Sequence, residues 1–299
     1  MPYASATDGV RLYFEEVGSG TPIIFVHEFA ADYMSWEPQM RYFSRRHRCI
    51  AYSARGYTPS DVPAKTEAYS YEHFRDDVIA VLDHLKIEKA HLAGLSMGGY
   101  SAAHVGLKYP GRARSLTLAG AGSGSESWYI EEFRRNSQEN ALKFEAIGSA
   151  EMAKTYGHGP TRVPFQLKDP RGHKEFVEAL ARHDAQGSAH TQRTFQSGRP
   201  SLYDYEAELQ RMTVPTLIIC GDEDDPCIEP SLFFKQHIPA SGLAMFPKSG
   251  HTVNLEEPAL FNQTLDSFIT LVEAGRWLPR DPRTLGAHAA RRISSVSAR

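Results

Sequence analysis

The sequence predicts a three-layer α/β protein, a mostly parallel central sheet flanked by helices, with a helical insertion capping the sheet. Three observations carry that prediction. Short apolar runs alternate with helical patterns over residues 1–124, strand-like runs resume after residue 210, and the stretch between holds no strand-like run. Strands separated by helices pair in parallel and leave helices on both faces of the sheet.

The elements follow in order. Val10-Arg11-Leu12-Tyr13-Phe14 alternates at period two and reads as a strand. Pro22 to Val26 is a continuous apolar run, the pattern of a strand buried on both faces. Cys49-Ile50-Ala51-Tyr52 is a weaker third strand. From Tyr71 to Leu85, Phe74, Val78, Ile79, Leu82 and Leu85 recur at helical spacing, so this is an amphipathic helix. Ala90 to Leu95, Ser115 to Ala119, Pro215 to Cys220 and Leu243 to Phe246 are further strands, and a last helix runs from about Pro258 to Ala274. Residues 125–209 are charged and helical in period, as in Glu175-Phe176-Val177-Glu178-Ala179-Leu180. The division expected is a core of residues 1–124 and 210–274, a helical cap of 125–209, and a basic tail of 275–299. That tail holds Arg276, Arg280, Arg283, Arg291, Arg292 and Arg299 against the single acid Asp281, and reads as a solvated terminus or a surface arm.

Composition excludes several classes of function. The chain has 299 residues, 41 % hydrophobic and 23 % charged, an ordinary globular balance. A formal net charge of −3 gives no basic field for nucleic acid. No apolar run approaches the roughly 20 residues of a membrane helix, and the N-terminus lacks the pattern of a secretory signal. Cys49, Cys220 and Cys227 are too few and too scattered for a disulfide framework or a zinc site, so a cytoplasmic protein without metal or membrane contact is expected. The expected partner is a small-molecule substrate, and the chain is expected to be a monomer or homodimer.

Gly94-Leu95-Ser96-Met97-Gly98 matches G-x-S-x-G between a strand and a small-residue helix. The pattern marks a strained turn that lifts a serine hydroxyl above a helix N-terminus, where unpaired N–H groups suit a developing oxyanion. A serine needs a base to take its proton, and the base needs a third group to fix its tautomer. His251, in Ser249-Gly250-His251 after the last core strand, has the best setting among 13 histidines. The acid belongs after another core strand, where Asp222, Glu223, Asp224 and Asp225 are adjacent. All four satisfy that position.

These motifs resemble the α/β-hydrolase superfamily over roughly residues 5 to 275. The serine turn is Gly-Leu-Ser-Met-Gly-Gly, the acid loop G-x-x-D is Gly221-Asp222-Glu223-Asp224, and the final histidine is Ser-Gly-His, in the family's order Ser, Asp, His. The resemblance implies Ser96 as nucleophile, Asp224 as the acid and His251 as the base. It further implies an oxyanion hole from the backbone N–H groups of Phe29 and Met97, a cap where 125–209 lies, and no cofactor.

Two departures from the family pattern stand out. The early loop, usually His-Gly-x-x, is His27-Glu28-Phe29-Ala30, so a carboxylate replaces the freest backbone position. The stretch D-x-R-G-x-G-x-S-D is Ser53 to Asp61 here, keeping Arg55-Gly56 and Ser60-Asp61. One reading pairs Glu28 with Arg55 to shape the oxyanion loop; the other leaves Glu28 in solvent. Tyr33 and Met34 are candidate pocket residues, while Trp36 suits core packing. His158, His183, His190 and Arg193 are the polar candidates of the cap.

The activity expected is hydrolysis of a carboxylic ester or lactone through an acyl-enzyme on Ser96. Carbon–carbon bond hydrolysis of a diketone is the rival chemistry, for which Arg162 and Arg193 supply basic groups in the cap. Peroxidase-like use of the same three residues, and a non-catalytic receptor of the same fold, complete the alternatives.

Overall fold

The computed structural model describes residues 2–284. Among them eight strands form one sheet in the order β1-β2-β4-β3-β5-β6-β7-β8. The strands are β1 (Tyr3–Ser5), β2 (Arg11–Val17), β3 (Pro22–Val26), β4 (Arg48–Tyr52), β5 (Ala90–Leu95), β6 (Ala113–Ala119), β7 (Thr216–Gly221) and β8 (Ser241–Phe246). β2 runs antiparallel to β1 and to β4, and every other pairing is parallel. The edge strand β1 is absent from the sequence-based expectation, because three residues are too short to show a period. The other strands lie within two or three residues of their expected bounds.

The inner strands β3, β4, β5 and β7 are buried over nearly their whole length because both faces of the sheet are covered there. In β3, Ile24 and Val26 join the core under α2 (Tyr71–His84) and α3 (Met97–Lys108), while Ile23 and Phe25 face α1 (Glu37–Phe43) and the final helix. Ser70 caps α2, its hydroxyl accepting from the His73 amide, and Phe74, Val78, Val81 and Leu82 form the buried stripe. In α3 the small residues Gly98, Gly99, Ala102, Ala103 and Gly106 bring the helix axis close to the sheet. Trp36 stacks on Phe25 with ring centroids 5.1 Å apart, so it is a packing residue.

Between β6 and β7 the chain is helical: α4 (Ile130–Tyr156), α5 (Val163–Lys168), α6 (Pro170–Ala181), α7 (Ala185–His190) and α8 (Glu206–Gln210), with a π-helical turn over Thr191–Gln196. Gly148, at φ 76°, kinks α4. Asp169 caps α6, whose His173, Phe176 and Leu180 share one buried face. The core then resumes with α9 (Asp225–His237), α10 (Val253–Glu256) and α11 (Pro258–Glu273). The start of the basic segment lies on the core: Trp277 donates to the Ala240 carbonyl at 2.8 Å and meets Phe268 edge-on, and the Arg280 amide donates to Pro239. Arg291, Arg292 and Arg299 lie outside the described residues. No helix among the described residues is long and apolar enough to cross a membrane.

Three buried histidines make this fold sensitive to acid. Burial pushes the pKa of His91 down to about 4, and those of His104 and His183 down to about 3. In the unfolded chain a histidine titrates near 6.5. Below that value the unfolded chain takes up protons that the folded chain refuses, so stability is complete above pH 6.5 and falls as the pH drops toward 4. The urea midpoint is expected to be lower at pH 5 than at pH 7.5, and equal midpoints would count against this assignment.

Candidate active site

β3 has β4 on one side and β5 on the other, so the chain leaves the sheet in opposite directions at the carboxyl ends of β3 and β5. A crevice at such a switch point is where open α/β sheets bind ligands. Ser96 follows β5 directly and sits at φ 53°, ψ −112°, a strained conformation for a residue with a side chain. Its amide donates to the Ala119 carbonyl at 2.8 Å, and its own carbonyl accepts from Tyr100 at 2.8 Å, so the turn is fixed from both sides. The flanking glycines are required by contact: a Cβ on Gly94 would run into the Gly98 backbone, and one on Gly98 into the Val26 carbonyl. Backbone cannot yield as a side chain can. Gly98→Ala is therefore expected to destabilise the protein by about 2 kcal/mol or more, read as a lowered melting temperature.

The other two expected residues line the same cavity as Ser96. Asp224 follows β7 and is buried at the start of α9, whereas Asp222, Glu223 and Asp225 are exposed. His251 follows β8, and its Nδ1 lies 2.7 Å from Asp224 Oδ2. Asp224 is thus the one acid of the four that meets the histidine. Gly120, after β6, makes room for the pair, since a Cβ there would stand 3.2 Å from Asp224 Oδ2 and 3.3 Å from His251 Nδ1. The helical insertion reaches the same loop, where the His251 amide donates to the Thr161 carbonyl at 2.9 Å. Ser96, Asp224 and His251 line one cavity of about 320 Å³. The Ser96 hydroxyl makes no hydrogen bond among the described residues; such contacts are commonly long before substrate binds.

The loop after β3 forms the opposite wall. His27 Nδ1 lies 2.6 Å from the Glu28 carbonyl, and His27 Nε2 accepts from the Ala54 amide at 3.0 Å, so Nδ1 carries the ring proton. Phe29 and Met97 offer the two backbone N–H groups expected here, and neither amide donates elsewhere among the described residues. The Phe29 ring lies edge-on to Phe144 and Tyr156 of α4, joining this loop to the insertion.

Glu28 departs from both readings made of it. It is buried rather than in solvent, and its partner is Arg162 of the insertion instead of Arg55. Arg162 Nη1 donates to Glu28 Oε1 at 2.7 Å and to Thr252 Oγ1 at 2.6 Å, while Nη2 meets Glu28 Oε2. Burial raises the pKa of Glu28, but the Arg162 guanidinium outweighs it and holds the carboxyl below its ordinary value. Glu28 Oε2 is also 3.9 Å from His251 Nε2. The backbone does not need glycine here, because Glu28 is not left-handed. Arg55 belongs to a different network, donating to Asp77 at 2.8 and 2.7 Å and to Asp8 at 2.7 and 3.3 Å. The sequence pattern kept Arg55 for that buried pair, which ties the segment after β4 to α2.

The remaining candidates stand away from the cavity. Tyr33 is half-buried against Tyr13, with ring centroids 5.0 Å apart. His183 is buried edge-on to Tyr57, its two ring nitrogens without partners among the described residues. His190 bonds Thr66 and Gln186, His158 meets His173, and Arg193 is held bidentate by Glu145. The cavity instead takes its insertion-side wall from residues without a motif, among them Tyr129, Phe133, Gln192, Gln196 and Arg199. Their only sequence signal was membership of the insertion.

Asp224, Cys227 and His251 offer three potential metal-ligand atoms within 4.8 Å of one another. The Asp224–His251 hydrogen bond already uses two of those groups. Burial and the neighbouring Asp224 push the Cys227 thiol well above its ordinary pKa, and as the neutral thiol it donates to the Gly120 carbonyl at 3.2 Å.

Comparison with known proteins agrees with this architecture. Residues 21–258 match the family described as alpha/beta hydrolase fold, and the chain belongs to that family. It is 29 % identical over 252 residues to 3-oxoadipate enol-lactonase 1 of Acinetobacter baylyi, covering 84 % of this chain and 89 % of that one. It is 30 % identical over 275 residues to the AB hydrolase superfamily protein YisY of Bacillus subtilis, covering 89 % and 98 %. A malate-bound thermophilic esterase from Thermogutta terrifontis superposes with a TM-score of 0.81 at 25 % identity, over 91 % of this chain and 98 % of that one.

Proposed function

We propose that this chain, an α/β-fold hydrolase acting on ester bonds, works through an acyl-enzyme on Ser96 and takes a small carboxylic ester or lactone. The observation that carries the reading is the Asp224–His251 contact of 2.7 Å on the cavity that Ser96 enters from its strained turn. Ser96 Oγ attacks the carbonyl carbon while His251 takes its proton. The N–H groups of Phe29 and Met97 stabilise the oxyanion. His251 then protonates the leaving alkoxide as its C–O bond breaks. Water repeats the sequence: His251 removes its proton, the acyl–Ser96 bond breaks, and the proton returns to the serine. Asp224 holds Nδ1–H and steadies the imidazolium. The enol-lactonase and esterase relatives support both substrate types.

Steady-state hydrolysis of p-nitrophenyl esters of graded acyl length tests the proposal. Wild type is expected to turn over short acyl chains, and Asp224→Asn to lower kcat by about 10⁴-fold by favouring the wrong imidazole tautomer. Folded wild-type protein inert toward every ester and lactone offered would refute it.

A further inference from the structure

We infer that Arg199 is the receptor for a carboxylate on the acyl part of the substrate, so that this enzyme prefers anionic half-esters or carboxylated lactones to neutral ones. The inference deepens the ester-hydrolase reading and rests on it for the chemistry, but not for the binding.

Charge accounting around the cavity leads to Arg199. Glu28, Asp224, Arg162 and Arg199 all line it. Glu28 and Arg162 cancel one another, and Asp224 faces His251. Arg199 has no carboxylate within ion-pair distance among the described residues. It is 6 % exposed, so its charge is held nearly out of solvent. Three rings enclose the guanidinium, with Tyr100 at 4.8 Å, Phe133 at 4.9 Å and Phe195 at 5.8 Å from its carbon. Its one hydrogen bond from the side chain runs from Nη2 to the Ser123 carbonyl at 2.5 Å, leaving Nε and Nη1 without partners among the described residues. Burial pulls its pKa down, the direction expected of a cation lacking an anion. Glu126 is the acid whose charge reaches Arg199, but the two form no ion pair among the described residues. An arginine stays charged in proteins, so a ligand carboxylate would give this guanidinium the ion-pair partner it lacks. The flat edge of a guanidinium suits the two oxygens of a carboxylate. Aromatic rings fix the plane of the fork, and the Ser123 carbonyl fixes its rotation.

The test compares matched substrates. Mono-p-nitrophenyl succinate, glutarate and adipate are measured against neutral p-nitrophenyl esters of the same acyl length, so the leaving group is constant. Wild type is expected to favour the anionic ester in kcat/KM at one chain length, which then gauges the span from Ser96 to Arg199. Arg199→Met is expected to lower that anionic-to-neutral ratio by about 30-fold, and Arg199→Lys by less. A wild-type preference for neutral esters at every length, or a ratio unmoved in Arg199→Met, would overturn the inference. Calorimetric titration of the Ser96→Ala protein with glutarate and with glutaramide reads binding without chemistry and without changing Arg199. Glutarate binding with no heat from glutaramide is expected, and equal behaviour of the two would refute the receptor. Neutral esters cleaved without anionic preference would leave the hydrolase reading standing and remove this one. Glutarate bound by a protein that cleaves no ester would do the reverse.

Discussion

Ser96→Ala is expected to lower ester hydrolysis by about 10⁴-fold or more, leaving only what binding and the oxyanion donors supply. The same position separates chemistry from strain. At φ 53°, ψ −112° the backbone of Ser96 is close to the mirror image of an ordinary extended conformation, which glycine alone occupies freely. Alanine keeps the Cβ and hence the strain, so Ser96→Ala is expected to melt close to wild type. Ser96→Gly is equally inactive but relieves the strain, and is expected to be more stable by about 1 kcal/mol. For a chain of this size that is a rise of about 2 °C in Tm. Activity surviving in both variants, or a Gly variant that melts below the Ala variant, would show that the turn is not held for the sake of the hydroxyl.

Breaking the Glu28–Arg162 pair is expected to destabilise the protein by about 3–5 kcal/mol, because either single change leaves a buried charge without its partner. Both groups are almost wholly enclosed, and Arg162 also holds Thr252, the neighbour of His251. In Arg162→Met the bare Glu28 carboxylate stands near His251 Nε2 and the developing oxyanion, so kcat is expected to fall as well. Glu28→Gln combined with Arg162→Met removes both charges and should recover most of the lost stability. The cycle is expected to show a coupling above about 2 kcal/mol, whereas a cycle between Glu28 and Arg55 should be additive within about 0.5 kcal/mol. Urea denaturation of the single and double variants measures both. Coupling between residues 28 and 55 as large as that between 28 and 162 would contradict the arrangement.

The contrast between those two arginines marks where the sequence was legible. Strands β3, β5 and β7 could be read because burial on both faces leaves continuous apolar runs, and Ser96 because its turn demands glycines at fixed offsets. His251 had the setting of a loop after the last core strand. Asp224 needed the family's G-x-x-D spacing, because four adjacent acids share that loop and the burial that sets one of them apart is a tertiary property. Glu28 was visible as a departure, yet its partner lies 134 residues away on a segment without a motif. Spacing carries no record of such a contact. Arg55, nearer in sequence and part of a recognised stretch, was the plausible partner, and its claim by Asp77 on α2 was equally hidden. Arg199 is hidden in the sequence for the same reason: an unmatched charge shows only once every neighbour is placed. β1 escaped because three residues have no periodicity.

Covalent labelling with a fluorophosphonate followed by peptide mass spectrometry reads directly whether Ser96 is a nucleophile activated by His251. One equivalent of adduct is expected on the peptide containing Ser96, formed rapidly in wild type and lost in Ser96→Ala. Slow labelling is expected in Asp224→Asn, where the imidazole is misdirected. Folded wild-type protein that takes up no label, or carries it on another residue, would show that Ser96 is not the activated nucleophile.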